Sequence, residues 1–238
     1  LWDADPTDGI AMVQFDIGWE NSWRVSTAPN NWDAAWVFLK FRVGATDPIF
    51  TAVSSVDNIL TVNSTSDLRV GMPVRVLAGT GTLAPWTVVT SIVSATTFTV
   101  DSWPGVALSG ATVLCERIWE HCLLGNTAAH IAPSGSTITV GSPNAFLPYS
   151  ATNPGVGVFI HRSVDGNGSF FAPGCQLQWL HGSQGVTIGM AVDICVHAVE
   201  MVLIPTGSYY LGGAGAWAFR AGNSGSTPRL ITSENYLN

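Results

Sequence analysis

The chain has 238 residues, of which 47% are hydrophobic and only 11% charged, against about 25% charged in ordinary soluble domains. That length holds one large β domain or two smaller ones, with little of the surface charge that keeps a solitary protein in solution. A formal charge of −7, a pI near 5.0 and a single lysine, Lys40, exclude the basic footprint that nucleic acid requires, and no nucleic-acid partner is expected.

Mean hydropathy is +0.30, yet the longest apolar stretches, such as 34–39 and 201–205, are strand-length. A spanning helix needs about 18 apolar residues, so no membrane span is expected. What remains is burial against protein, with a monomer whose surface is Ser, Thr, Asn and Gly as the alternative. A subunit covered on several sides by its neighbours needs few charges, because large uncharged patches invite association.

Period-two alternation dominates the chain. In Met12 to Glu20, the side chains of Val13, Phe15, Ile17 and Trp19 share one face, opposite Gln14, Asp16 and Glu20. From Trp36 to Val43, Val37, Leu39, Phe41 and Val43 oppose Trp36, Phe38, Lys40 and Arg42. The texture changes from about Ala45 to Val113, where aromatics thin out and Val, Thr and Ser prevail. Short strands are predicted there at Ile59–Val62, Val74–Leu77, Thr87–Val93 and Phe98–Val100.

Further on, strands are predicted at Ser136–Val140, Gly155–Arg162 and Ser208–Leu211. Cys175, Leu177 and Trp179 alternate with Gln176 and Gln178, and Val192, Ile194, Val196 and Ala198 with Asp193, Cys195, His197 and Val199. Gly, Pro, Asn and Ser punctuate these runs, as turns require. The expected fold is all-β, a β-sandwich or jelly-roll body with a small inserted β-barrel or sandwich domain. The body would comprise 1–44 and 114–238, and the insertion 45–113; one continuous large sandwich is the alternative.

Motifs for chemistry are sparse. Gly222-Asn223-Ser224-Gly225-Ser226 departs from the GxSxG elbow at its last position and reads as a flexible loop. His161, His181 and His197 could meet across neighbouring strands, but no HxH or HExxH spacing supports a metal site. Asp165-Gly166-Asn167-Gly168 lacks the spaced acids of a calcium loop and reads as a turn. No catalytic residue, metal or cofactor is expected. The four cysteines Cys115, Cys122, Cys175 and Cys195 allow three pairings. A disulfide between Cys175 and Cys195 and buried free thiols are both open readings.

Tryptophan is abundant, with ten residues. Trp19, Trp36 and Trp179 lie inside strands and are assigned to the core. Trp2, Trp86, Trp103 and Trp217 fall in turn-like or terminal settings and are the candidate intersubunit contacts, since tryptophan is enriched at binding hot spots. The same residues could stack on sugar rings instead.

Several stretches resemble a β domain of secreted bacterial proteins that often precedes a domain related to formylglycine-generating (sulfatase-modifying) enzymes. They are Phe15 to Arg24, Pro29 to Arg42, Trp119 to Leu123, Gly155 to Arg162 and Val199 to Gly212. The runs Val70 to Val74, Gly79 to Leu83, Thr87 to Ile92 and Thr96 to Val100 are similar in style to modules of phage tail fibres and virion surfaces. These resemblances imply an extracellular, cell-surface or virion setting and carry over no catalytic residue. The chain opens at Leu1 with no Met, as expected of either a processed product or a part of a longer one, whose targeting segment would then lie outside it.

The function expected is a non-enzymatic structural subunit that self-assembles into an extracellular filament, sheath or virion-like surface. An adhesion module for a surface glycan or receptor is the alternative. The end segments Leu1 to Gly9 and Ala214 to Asn238 are the expected connectors between copies.

Overall fold

The computed structural model describes residues 7–28, 30–103, 105–141, 154–202, 209–211 and 229–231. It is all-β and sandwich-like. The strands are β1 (Ala11–Val25), β2 (Asn31–Val43), β3 (Ile49–Val56), β4 (Ile59–Thr61), β5 (Val74–Thr82), β6 (Val89–Ile92), β7 (Thr97–Val100) and β8 (Val106–Cys115). They continue as β9 (Glu120–His121), β10 (Ser136–Gly141), β11 (Gly157–Arg162), β12 (Gly166–Trp179), β13 (Val192–Val202), β14 (Tyr209–Leu211) and β15 (Arg229–Ile231). Among the described residues no helix is long and apolar enough to cross a membrane.

A seven-stranded antiparallel sheet is organised around β2. One edge of β2 carries β13, paired without a break from Asp33↔Val202 to Val43↔Val192. Its opposite edge is shared by β11, at Ala35 to Val37, and β9, at Lys40 and Phe41. β1 joins β2 only at Asn31 and Trp32, then pairs along most of its length with β12. The β1–β12 ribbon packs its inner face against β2. Alternation decides which side chains meet there: Val37, Leu39 and Phe41 are completely buried, as are Cys175 and Leu177. The rings of Phe41 and Trp179 lie 4.9 Å apart, within the range for favourable aromatic packing. Trp19 and Trp36 are only half-buried.

Where β1 turns toward β2, its register with β12 slips between Trp19 and Ser22, and Asn21 takes a positive φ of 58°. This bulge re-aims three donors at one buried acceptor. Asp33, fully buried on β2, accepts from Trp19 Nε1, from Ser22 Oγ at 2.9 Å and from the Trp23 backbone N–H at 3.0 Å. Arg162 Nε in turn donates to Ser22 Oγ at 3.0 Å. A carboxylate without these partners would be costly at such a depth, so the bulge and Asp33 hold each other in place.

The Val/Thr-rich stretch supplies the second sheet, ordered β5-β8-β3-β4-β7-β6. Its end strands draw together through a Pro73↔Val88 bridge and the bonds Val74 N–H to Thr87 O and Val89 N–H to Met72 O. Curled in this way, it encloses its own core of Phe50, Val53, Leu60, Met72, Val89, Phe98 and Val113 among others. The chain enters and leaves this unit through adjacent strands, with Ile49 opposite Leu114 and Cys115 N–H bonded to Pro48 O.

Two arginines tie this neck to the larger sheet. Arg117 reaches the Gly44 carbonyl, Asp47 at 3.3 Å and Asp193 at 3.3 Å. Arg69 donates to the Gln184 carbonyl at 2.8 Å, pairs with Glu120 at 3.4 Å and lies 5.5 Å from the Phe41 ring centre. Burial raises the Glu120 pKa, and the Arg69 charge partly opposes that rise.

His130 is 8% exposed, and its Nδ1 accepts the Gln178 backbone N–H at 3.0 Å. Burial, partly offset by a backbone contact at Gly125, pushes its pKa from the ordinary 6.5 down to about 4. The folded chain therefore takes up this proton later than the unfolded chain does. The stabilisation is complete above pH of about 6.5 and is lost as pH falls toward about 4, up to roughly 3 kcal/mol in all. Urea unfolding of the wild type and of His130→Asn, whose Oδ1 can accept the same bond, should show a smaller fall in stability between pH 7 and pH 4 for the variant.

Candidate interaction surfaces

The histidines named from sequence have separate partners. His161 Nδ1 faces Arg24 at 3.1 Å, and His181 Nδ1 lies 2.8 Å from the Val186 carbonyl. His197 stacks on Phe38 with ring centres 5.0 Å apart. Among the described residues no three His, Cys, Asp or Glu side chains are grouped to hold a metal ion. Asp165 lies in the bend between β11 and β12, accepting from Ser26 N–H at 3.0 Å and Ser26 Oγ at 2.6 Å, which lowers its pKa. The segment 222–226 lies outside the described residues.

Of the two open readings for the cysteines the structure has the thiols: Cys115, Cys122, Cys175 and Cys195 are all free. Strand alternation explains why. Cys175 sits in the main core with Leu177 and Trp179, whereas Cys195 pairs with Lys40 on the opposite face of β2. Cys115 belongs to the smaller core and Cys122 to the larger. Burial pushes the thiols of Cys115 and Cys122 up to about 12 and that of Cys175 up to about 11, so all three are held protonated and unreactive.

Of the four tryptophans assigned to contacts, Trp2 and Trp217 lie outside the described residues. The structure places the other two on neighbouring loops. Trp86 is 92% exposed and Trp103 67% exposed. Their loops are joined by the Thr87 and Ser102 hydroxyls, 2.6 Å apart, and by a bond from Val88 N–H to Asp101 Oδ1 at 2.9 Å. Trp86 also has a positive φ of 68°, a conformation unfavourable for a bulky residue, which the Thr87 bonds to Ala84 and Ser102 help hold. Beside it runs a groove of about 500 Å³ lined by Val76, Leu83, Ala84, Pro85 and Trp86, with Arg75 at its margin.

The second surface is the β13 margin of the larger sheet. Val192 and Ile194 pack against the core, but from Val196 onward the strand outruns it. Val196, Val199, Met201 and Val202 are all exposed. Among the described residues, no strand pairs with β13 on the side away from β2. The face that β13 shares with the even-numbered side chains of β2 is rich in aromatics. Arg42 lies over Trp119, Phe38 packs between His121 and His197, and Trp36 contacts Phe159 at 4.8 Å.

Gly141 and Gly157 leave room for the Trp36 ring, which a Cβ at either position would overlap. A groove of about 390 Å³ between Trp32, Phe159, His161, Met201 and Val202 continues this face to the end of β13. Burial first, then the charges of Lys40 and His197, lower the His121 pKa and favour its neutral form. Trp36 lies half-buried on this aromatic face, which corrects its assignment to the core, and the alternation of β13 through Ala198 runs beyond the end of the core.

Comparison of the chain with known protein families, with curated proteins and with solved structures finds no match. The interaction reading therefore stands on the geometry of these surfaces. Titration with a thiol-specific chromogenic reagent should find Cys195 alone reactive in the folded protein and all four cysteines reactive in urea. Rapid reaction of a second thiol in the folded state would contradict the burial described.

Proposed function

We propose that this chain is a non-enzymatic structural subunit that associates with copies of itself in an extracellular filament, sheath or virion-like surface. The observation that carries the reading is the β13 margin, an eleven-residue strand paired without a bulge to β2, with exposed valines and a methionine along its outer half. Edge strands of solitary proteins are commonly blunted by lysine, proline, bulges or short length. Val192–Val202 has no lysine or proline, and Asp193 and Glu200 are its only charges. Asp193 is already engaged by Arg42 at 2.8 Å. The low overall charge supports the same reading, and the resemblance to secreted and virion-surface modules supports the setting.

Sedimentation of the full chain at micromolar concentration should show multimers. The double variant Val199→Lys, Met201→Lys places charge on the margin and should weaken association by about tenfold or more while preserving the far-ultraviolet spectrum. A wild-type chain that sediments only as a monomer would overturn the proposal.

The Trp86–Trp103 tip favours a second reading, an adhesion module that stacks its exposed indoles on a surface glycan or receptor. A glycan array should then show binding that falls about tenfold or more in Trp86→Ala and Trp103→Ala, consistent with aromatic hot spots. Equal binding by wild type and both variants would count against it.

A further inference from the structure

We propose that Cys195 and Lys40 form a site of oxidative crosslinking, in which peroxide converts the thiol to a sulfenic acid that the lysine amine captures as a sulfenamide. This chemistry is independent of any association between copies.

Strand register brings the two groups together. Cys195 of β13 is the partner of Lys40 on β2, and Lys40 is in turn the partner of His121 on β9. Directly opposed residues share a face of the sheet, so thiol, amine and imidazole form one row across three strands. Cys195 and Lys40 are half-buried and His121 is exposed, which leaves the row open to a solute as small as peroxide. Opposed Cα atoms of an antiparallel pair are about 4.5–5.5 Å apart, a gap that the flexible stem of a lysine spans. Burial, then the charges of Lys40 and His197, lower the His121 pKa, so the Lys40 ammonium is felt within this row.

The surroundings favour capture by the amine. A sulfenic acid commonly condenses with a second thiol, but Cys115, Cys122 and Cys175 are fully buried in the two cores. Lys40 is the single lysine of the chain. Among the described residues no ion pair engages it, and the Asp193 carboxylate on the same face is taken by Arg42 and Arg117.

Cys195 Sγ attacks one peroxide oxygen; an S–O bond forms, the O–O bond breaks and water leaves. The sulfur is thereby oxidised by two electrons and the peroxide reduced. Lys40 Nζ, having given a proton to solvent, then attacks the sulfur through its lone pair. An S–N bond forms, the S–O bond breaks, and the oxygen departs as water with a further proton from the nitrogen. Val192 and Ile194 are the β13 side chains packed against the core. The new bond therefore fastens β13 to β2 just where that packing gives out.

The test treats the folded full-length chain with a small excess of hydrogen peroxide and reads intact mass and non-reducing tryptic peptides. Wild type should lose about 2 Da, resist cleavage after Lys40 and yield a peptide pair joining Lys40 to Cys195, all reversed by dithiothreitol. Cys195→Ser should show none of these changes. Lys40→Arg keeps the positive charge without the amine, and its far-ultraviolet spectrum should match wild type. In that variant the sulfenic-acid trap dimedone should label Cys195 about tenfold more than in wild type.

The same loss of mass in Lys40→Arg would mark capture by a backbone nitrogen and overturn the assignment. So would wild-type Cys195 that stays a thiol, or that accumulates as sulfenic or sulfinic acid while trypsin still cleaves after Lys40. The wild-type peptide map decides the matter whether or not either variant folds.

Discussion

The larger sheet depends on β2 having to satisfy two edges and two faces at once. Its backbone groups are shared among β13, β11, β9 and the end of β1. Its odd-numbered side chains from Ala35 to Val43 are buried in the core, while Trp36, Phe38, Lys40 and Arg42 occupy the other face. A slip of one residue would carry Phe41 out of the core and Lys40 into it. Such a slip is opposed by Asp33, whose acceptors collect donors from the β1 bulge only when β1 and β2 are in this register. A buried, hydrogen-bonded carboxylate thus fixes the pairing that hydrophobic burial favours.

That division of β2 explains why so much apolar and aromatic surface lies outside the core. The β1–β12 ribbon covers only one face. The other has Trp36 seated on two glycines, imidazoles either side of Phe38 and an arginine over Trp119. Cation–π contacts and ring stacking keep this layer ordered without excluding solvent from it. Beyond Ile194 the same arrangement leaves β13 supported by hydrogen bonds to β2 and by little packing, the local condition for a surface that gains from a neighbour.

Much of the larger sheet was legible because period-two alternation is unbroken where one face is buried. Val13 through Trp19, Val37 through Val43, and Cys175 through Trp179 all read correctly for facing. Legibility fell where the backbone departs from regular pairing. β3 and β8 escaped detection: their register shifts between Phe50 and Val53, and Ala52 has a positive φ of 57°. Serine, alanine and glycine further dilute their alternation.

The adjacency of the loops carrying Trp86 and Trp103 had no sequence signal, since it depends on a hydroxyl contact between Thr87 and Ser102 on separate loops. The choice between the two cysteine readings was hidden for a related reason. Predicting that Cys175 and Cys195 occupy strands says nothing about how those strands are arranged, and the observed sheet places them on opposite faces of β2.

The narrow neck of the smaller unit has a mechanical consequence. Pro48 and Cys115 are bonded directly, Ile49 faces Leu114, and Arg117 clasps Gly44 and Asp47 on the incoming side and Asp193 on β13. Tension applied along the chain would cross from the incoming to the outgoing strand at this clasp and largely bypass the residues between. Under such tension the contacts at the neck would take the force first, and the core of the smaller unit would follow only after they had parted.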